Sequence, residues 1–394
     1  MPHAPRPGLD RRDFVISTLA GAAASAALAG TAPAQAQAPA APAPPHGTRR
    51  TGDTLQGKAV VSALDVADLE PGTTHRLYFQ GVQMPTGQHW HVSVIVAKGA
   101  RPGKRMALVS GVHGDEMSSV RTVQKVMDGL DPAQMSGTVM AVLDVSRPAL
   151  EGMQRRWPDF GRGAGLIDMN REWPGDENGA TATSRHAALV FNRLLRPNAD
   201  LAIDFHTGTT GLDAAAFNIA DLSLPDVKTM AELYPVGQIW NNAAYPGVLH
   251  NALIDVGIPC FTPEIGAARV LDREKIALFV EGTRNVLTHY KIIPGPMGRT
   301  AADAGVYVGN SAFPVVATQG GFVEHLVRLD DAVTPGQILS IQRNTFGESV
   351  ADYRCGVDGR VAALRSDATA EPGNVLAFIL FNHAPAAGQR TYPE

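Results

Sequence analysis

Apolar residues along residues 58–290 fall into two kinds of pattern that follow one another in turn. Short apolar runs predict buried strands at residues 58–66, 73–83, 91–97, 106–109, 138–145, 200–206 and 257–264. Apolar positions three or four residues apart predict helices at residues 117–127, 184–195, 224–234 and 272–290. Strands that alternate with helices predict an α/β fold with a mixed, mainly parallel sheet flanked by helices.

The pattern changes after Pro294-Gly-Pro296. Glycine and proline now separate short apolar runs, which lie at residues 320–327, 336–341, 359–364 and 374–380. Short strands with frequent turn residues are typical of all-β structure. We therefore predict a main domain over residues 54–293 and a small β-domain over residues 294–394.

The N-terminal region has the pattern of a targeting segment. Arg11-Arg12 precedes an alanine-rich apolar stretch, and small-residue cleavage patterns end at Ala36 and Ala38. This pattern predicts a twin-arginine export signal over residues 1–38, followed by a disordered leader over residues 39–53. The apolar stretch is short for a membrane span. We expect a mature protein located in the periplasm, with the twin-arginine machinery as partner and no membrane contact.

Composition narrows the class of protein. The chain has 394 residues, of which 44% are hydrophobic and 18% are charged, with a formal net charge of -4. These values are typical of a globular protein with more than one core, and they give no electrostatic case for nucleic acid. Cys260 and Cys355 are the only cysteines. We expect both to be free and buried, with a single bridge as the alternative.

Candidate metal ligands stand where predicted strands end. His113-Gly-Asp-Glu116 follows the run at 106–109, and His206 ends the run at 200–206. Open α/β sheets build their sites beyond the carboxyl ends of parallel strands. Two histidines and one glutamate form a standard ligand set of catalytic zinc, which predicts one Zn²⁺ per chain. Asp204 is predicted to orient His206 rather than to bind the metal.

Two further motifs supply polar groups of other kinds. Glu264 ends the predicted strand at 257–264, and a carboxylate beside a metal site is the expected general base for a water molecule. Asn170-Arg171 offers an amide and a guanidinium, and guanidinium groups bind carboxylates in a bidentate manner. These two residues are predicted to hold a carboxylate of the substrate. The polar segment 146–165, which contains four arginines, is predicted to be a functional loop.

The order of these motifs resembles that of the succinylglutamate desuccinylase/aspartoacylase family, a branch of the zinc carboxypeptidase superfamily. The motifs are His-x-x-Glu, Asp-x-Asn-Arg-x-x-Pro-Gly, Asp-x-His-x-Gly and Pro-Glu-x-Gly, and they cover about residues 105–290. The resemblance implies a carboxypeptidase-like fold and the same roles, with zinc on His113, Glu116 and His206. It also implies that Glu264 is the base and proton shuttle, while Asn170 and Arg171 hold the substrate.

Family members also carry an arginine that polarises the scissile carbonyl group. The resemblance assigns this role to Arg162, with Arg156 as the alternative. The implied activity is a deacylase reaction, which hydrolyses the amide bond of an N-acyl amino acid or a similar small carboxylate-bearing amide. The alternatives are a periplasmic zinc carboxypeptidase that acts on short peptides and a non-catalytic binding protein on the same scaffold. Association into a homo-oligomer is left open.

Overall fold

A computed structural model describes residues 47–159, 165–242 and 246–383. The export signal predicted over residues 1–38 and the predicted role of Arg162 lie outside the described residues. The helices are α1 (Met117–Asp128), α2 (Arg147–Glu151), α3 (Ala182–Val190), α4 (Pro225–Glu232), α5 (Leu249–Asp255) and α6 (Arg273–His289). None of the helices in the described ranges combines the length and the apolar content needed to cross a membrane.

The structure describes thirteen strands in the first part of the chain. They are β1 (Arg49–Leu55), β2 (Lys58–Ala63), β3 (Thr73–Gln83), β4 (His89–Lys98), β5 (Arg101–Val109), β6 (Ser136–Val142), β7 (Trp157–Asp159), β8 (Gly165–Ile167), β9 (Leu201–Asp204), β10 (Leu212–Ala214), β11 (Phe217–Ala220), β12 (Gln238–Asn241) and β13 (Cys260–Glu264). The later strands are β14 (Tyr307–Gly309), β15 (Ser311–Val316), β16 (Gly321–His325), β17 (Ala332–Val333), β18 (Ile338–Arg343), β19 (Ser349–Arg354), β20 (Gly359–Arg365), β21 (Thr369–Ala370) and β22 (Val375–Phe381).

The large sheet has eleven strands in the order β1-β2-β3-β4-β6-β5-β9-β13-β11-β12-β14. Its central strands β6, β5, β9 and β13 are all parallel to one another. Antiparallel pairs occur at β1–β2, β3–β4, β4–β6 and β11–β13. The predicted α/β class with a mixed, mainly parallel sheet is therefore confirmed, and the carboxyl ends of the central strands meet at one edge.

Helices cover both faces of this sheet, and strand β5 shows how. Ala107 and Val109 pack into one apolar core together with residues of α3 and α5. Met106 and Leu108, which point to the opposite face, pack into a second core with residues of α1, α4 and α6. Because successive side chains of a strand alternate between faces, an unbroken apolar run is required here.

The C-terminal strands form two smaller sheets around a third core. One has the order β10-β20-β22-β15 with β17 beside β20, and the other has the order β19-β18-β16-β21. The predicted runs at 320–327, 336–341, 359–364 and 374–380 correspond to β16, β18, β20 and β22. Each part of the chain contributes a strand to a sheet of the other part. Strand β10 pairs with β20, and β14 pairs with β12.

Two predicted irregular segments contain regular structure. Residues 49–53, assigned to the disordered leader, belong to β1, so this part of the prediction is wrong. Most side chains of β1 are exposed and give no apolar pattern, while Gln56 and Gly57, both with positive φ, form a hairpin turn to β2. The polar segment 146–165 contains α2 and the β7–β8 pair, which are too short to give a periodic pattern. The expectation of free, buried cysteines is confirmed for Cys260 and Cys355.

A buried histidine makes the stability of the fold sensitive to acid. The His186 Nε2–H donates to the Val145 carbonyl (3.0 Å), and its Nδ1 accepts from the Val82 N–H (3.3 Å). Both ring nitrogens are therefore satisfied in the neutral form, and a second proton would face an N–H group. Burial lowers the pKa of His186 to about 4, against the hydrogen bond to Val145, which favours the charged form.

We expect His186 to reduce the free energy of unfolding as the pH falls. Because the folded pKa lies below the unfolded value of about 6.5, the unfolded chain binds the proton first, and stability is lost as pH falls from about 6.5 towards 4. Between pH 7.5 and 5.0 this loss is about 2 kcal/mol. Urea unfolding should show a smaller pH-dependent loss for His186→Asn than for wild type, whereas exchange of the exposed His289 should leave the loss unchanged. An equal loss in His186→Asn would contradict this account.

Candidate metal centre and active site

Three neighbouring parallel strands bring the candidate residues to one place. His113 follows β5, His206 follows β9, and Glu264 is the last residue of β13. The strands are paired in the order β5, β9, β13. The His206 N–H donates to the Pro263 carbonyl (2.9 Å), which places His206 directly beside Glu264. The predicted crevice at the strand ends therefore contains both histidines and the carboxylate.

The turn that carries His113 depends on two glycines. Gly111 has a φ of +70°, and a Cβ atom there would lie 2.7 Å from the Leu143 carbonyl oxygen. A Cβ atom on Gly114 would lie 2.1 Å from the backbone of Ala149 in α2. The turn thus packs against α2 with no room for a side chain. It ends at Glu116, immediately before α1, and the Glu116 carboxylate turns towards the histidines instead of capping the helix.

The candidate ligand atoms of His113, Glu116 and His206 all lie within 4.8 Å of one another. His113 Nδ1 is 2.8 Å from Glu116 Oε1, and His206 Nδ1 is 2.9 Å from Glu116 Oε2. The two Nδ1 atoms are 3.0 Å apart. All three side chains are buried. Two imidazole nitrogens and a carboxylate oxygen that converge in this way form a donor set suited to Zn²⁺.

The other nitrogen of each imidazole faces a carboxylate. His113 Nε2 is 3.0 Å from Asp168 Oδ1, and His206 Nε2 is 3.1 Å from Asp204 Oδ2. Metal-binding histidines are commonly oriented by carboxylates in this way, with the opposite nitrogen left for the metal. Asp204 lies where the sequence predicts it, whereas Asp168 was recognised only as part of the Asn170-Arg171 motif.

The charges of this cluster favour a cation between the ligands. Burial opposes the charged form of His206, but Asp204 and Glu116 outweigh it and raise the pKa of His206 well above its usual value. Burial likewise opposes the ionisation of Glu116, yet His113 and His206 lower the pKa of that carboxyl far below its usual range. The residues thus fit a resident divalent metal ion in both donor type and charge.

We expect the outer carboxylates to tune metal binding without supplying ligands. Asp168→Asn keeps the size of the side chain but weakens its hold on the His113 ring, so Zn²⁺ affinity should fall by about 10–100-fold. Competition with a chromophoric chelator measures this affinity, and the Asp204→Asn variant should behave similarly. Wild-type affinity in both variants would show that neither carboxylate orients a ligand.

Glu264 lies beside the cluster, and its Oε2 atom is shielded from solvent with no hydrogen-bond partner among the described residues. Burial raises the pKa of the Glu264 carboxyl to about 8, and the charge of Glu116 adds to the rise, while His206 opposes it. A carboxyl whose pKa is close to neutral pH is suited to accept and return a proton. Glu264 therefore lies beside the candidate ligands with one carboxylate oxygen that no described residue engages, and its role as the base stays a prediction.

Asn170 and Arg171 line the same cavity. They belong to a short turn that Asp168 caps by accepting the Asn170 N–H (2.9 Å). Asn170 Oδ1 accepts the Leu249 N–H at the start of α5 (3.0 Å), and its Nδ2 lies 3.4 Å from His206 Nε2. The Asn170 amide is thus fixed between α5 and the histidine cluster.

Arg155 also lines the cavity, whereas Arg156 is not among the described lining residues. Arg155 Nη1 donates to Glu116 Oε1 (2.8 Å), and Nη2 lies 3.5 Å from Asp168 Oδ2. Sequence reasoning missed Arg155 as a lining residue of the cavity, because the sequence gives no signal of which of the adjacent residues Arg155 and Arg156 faces the site. Arg162 lies outside the described residues, so its assignment stays a prediction. His250, which contacts Thr262 Oγ1 (2.9 Å), is a further lining residue that sequence reasoning missed.

The cavity, of about 170 Å³, has a polar end and an apolar wall. The polar end contains the histidine cluster, Glu264 and the arginines. The apolar wall consists of residues from β10, β11, β12, β15, β20 and β22, namely Leu212, Ala214, Phe217, Ile219, Trp240, Ala312, Ala362, Ala363, Phe378 and Leu380. The C-terminal strands therefore form part of the cavity itself.

Comparison with known proteins identifies the family. Residues 102–290 match the succinylglutamate desuccinylase/aspartoacylase catalytic domain. The chain belongs to this family. The match to the family spans the strands that carry His113, Glu116, His206 and Glu264, which confirms the resemblance found in the motifs.

One curated relative is an N-alpha-acetyl-L-2,4-diaminobutyric acid deacetylase of Halomonas elongata, 26% identical over 290 residues that cover 70% of this chain and 82% of the relative. The fold is similar to that of a succinylglutamate desuccinylase/aspartoacylase of Rhodobacter sphaeroides, with a TM-score of 0.68 and 20% identity. The similarity covers 81% of this chain and 98% of that protein. It is also similar to that of an ectoine utilization protein of Ruegeria pomeroyi, with a TM-score of 0.69 and 20% identity. This similarity covers 85% of this chain and 98% of that protein. Desuccinylases and deacetylases hydrolyse amides, so these relatives support a hydrolase that acts on amides.

Proposed function

We propose that this protein is a zinc-dependent deacylase that hydrolyses the amide bond of an N-acyl amino acid. The observation that carries the proposal is the meeting of His113, Glu116 and His206 with the carboxylate of Glu264 in a cavity that also contains Arg171. A metal site, a base and a group that binds carboxylates are the three parts that such a reaction requires.

Each side chain has a separate role in the proposed reaction. Arg171 and Asn170 bind the substrate carboxylate and hold the amide carbon beside Glu264. Glu264 takes a proton from water as the water oxygen bonds to that carbon, and it gives the proton to the amide nitrogen as the C–N bond breaks. The products are a free carboxylic acid and an amino acid. Zn²⁺ held by His113, Glu116 and His206 would polarise the carbonyl group and make water a stronger acid.

An arginine near the metal ligands would stabilise negative charge on the carbonyl oxygen. Among the described arginines of the segment 146–165, Arg155 lines the cavity and donates to Glu116. The predicted role of Arg162 remains the alternative, and separate Arg155→Ala and Arg162→Ala variants distinguish the two by their loss of kcat.

The apolar wall favours a deacylase over a carboxypeptidase for peptides. Strands β15, β20 and β22 contribute part of this wall, so the C-terminal region limits the space beyond the polar end. A peptide substrate needs an open path for its remaining residues. The cavity therefore supports a small substrate whose two ends both lie inside it.

The test is hydrolysis of a panel of N-acyl amino acids, their C-terminal amides and short peptides by zinc-loaded protein. We expect turnover of N-acyl amino acids and loss of most of the rate when the carboxylate is amidated. Higher kcat/KM values for peptides would support the carboxypeptidase instead. Binding without turnover of any amide would support the non-catalytic alternative.

We also propose export through the twin-arginine route, which rests on the sequence of residues 1–38. Replacement of Arg11-Arg12 by Lys-Lys should keep the protein in the cytoplasm, because the receptor of this route reads the arginine pair. Cell fractionation and sequencing of the mature N-terminus, expected near Ala36 or Ala38, measure the outcome. An unchanged periplasmic yield of the Lys-Lys variant would exclude this route.

A further inference from the structure

We infer that the acyl group of the substrate is apolar and longer than acetyl, and that it packs against the apolar wall. This inference rests on the proposed deacylase function and names the class of its substrate. The relevant feature is a contrast within one cavity: the charged groups among its described lining residues surround the candidate metal ligands and Glu264, and the strands next to them contribute aliphatic and aromatic side chains.

The apolar wall is a continuous surface formed by two parts of the chain. Phe217 and Trp240 pack in one small apolar cluster with Ala362 and Leu380 of the C-terminal strands. A second cluster joins Leu212 with Ala363 and Phe378. Both clusters are separate from the three large cores. They border the cavity, where a bound apolar group would extend them.

The strand period shows that the wall is a consistent face. Phe378 and Leu380 of β22 line the cavity, while Ile379 between them packs into the third core. Phe217 and Ile219 of β11 line it as well, and Asn218 between them donates to the Ala231 carbonyl on the other side. Alternate residues of these strands therefore present apolar groups to the cavity.

Alanine side chains on this face leave space beside the aromatic rings. Ala312 lies opposite Leu380 in the β15–β22 pair and contacts both small clusters. Ala362 and Ala363 follow one another at an irregularity of β20, and both line the cavity. Larger residues at these positions would fill the space beside the aromatic rings. The combination of small and aromatic residues leaves room for several methylene groups.

The charges of the described lining residues disfavour a second ionic group on the substrate. Arg155 is engaged by Glu116 and Asp168. Arg171 is the cation proposed to hold the carboxylate next to the scissile amide. A further carboxylate, as in a succinyl group, or an ammonium group would lie against the apolar wall with no counter-charge among the described lining residues. Such burial of an unpaired charge is strongly unfavourable.

The test compares three substrates that differ only in the acyl group: N-acetyl-L-alanine, N-hexanoyl-L-alanine and N-succinyl-L-alanine. Each buried methylene group should raise kcat/KM by about fourfold. We therefore expect the hexanoyl substrate to exceed the acetyl substrate by roughly tenfold or more, and the succinyl substrate to be the poorest. An acetyl or succinyl substrate that equals or exceeds the hexanoyl one would overturn the inference.

Variants of Ala312 locate the preference in the apolar wall. Ala312→Leu fills space, so the hexanoyl-to-acetyl ratio of kcat/KM should fall by about tenfold. Ala312→Arg adds a cation on a long side chain, so the succinyl-to-hexanoyl ratio should rise by at least about tenfold. The matched control is Ala332→Leu in β17, an exposed position outside the cavity, which should keep both wild-type ratios.

The outcomes separate this inference from the function on which it rests. If wild type hydrolyses none of the three substrates, the proposed deacylase function fails, and the inference fails with it. If it hydrolyses them without preferring hexanoyl, only the inference fails. Wild-type ratios in Ala312→Leu would also contradict it, and this variant keeps the test valid if Ala312→Arg does not fold.

Discussion

Glu264→Gln should lose about 10²–10⁴-fold in kcat while it retains its metal and its substrate affinity. Gln keeps the size and shape of the side chain but cannot accept a proton from water. Glu264 lies outside the cluster of candidate ligand atoms, which is made up of His113, Glu116 and His206. Its replacement by Gln should therefore leave the metal site complete. Steady-state kinetics and metal analysis of the same preparation measure both properties.

The control for this variant is Glu274→Gln in the first turn of α6, which lies outside the described cavity lining and should retain wild-type kinetics. Two outcomes would contradict the role of Glu264. Loss of the metal would show that Glu264 is a ligand and that one of the three residues assigned as metal ligands is not. Retention of the metal with near-wild-type kcat would place the base elsewhere.

His113→Ala and His206→Ala should each abolish bound zinc and hydrolysis together. Each variant removes one of the three proposed metal ligands and leaves the Glu116 carboxylate buried beside a single imidazole. Catalytic zinc with two protein ligands is outside the usual coordination of such sites. We expect no stoichiometric zinc after dialysis, with circular dichroism confirming that the fold is kept. The exposed His289 on α6 provides the matched histidine control.

Either of two results would count against the ligand assignment. Stoichiometric zinc in both histidine variants would move the metal to another site. Loss of zinc with unchanged hydrolysis would separate the metal from the reaction. The Asp168→Asn variant, which is expected to weaken zinc binding without abolishing it, provides the intermediate case.

The sequence allows prediction of the centre of the site because local pattern and chemistry coincide there. An apolar run that is too short for a helix predicts β5 and β9, and the polar residue after each run must lie at a strand end. The positions of His206 and Glu264 follow from that rule, and His113 lies four residues beyond the end of β5. Neighbouring parallel strands then bring these residues together without any knowledge of loops.

The walls of the cavity could not be predicted in the same way. Strands β10, β11 and β12 have three or four residues each, which is too few for a periodic pattern. The pairing of β10 with β20 joins residues about 150 positions apart, and no local signal encodes it. Whether Arg155 or Arg156 faces the cavity depends on the backbone path of an irregular segment. Edge strand β1 was missed because its side chains are mostly exposed.

The most direct test of the central claim is titration of Zn²⁺ into chelator-treated wild-type protein, with bound metal and hydrolysis of an N-acyl amino acid followed together. Activity should be absent at the start, rise in proportion to bound zinc and reach its plateau at one ion per chain. The His206→Ala protein should show neither binding nor activity over the same range. Full hydrolysis by the metal-free wild-type protein would contradict the account.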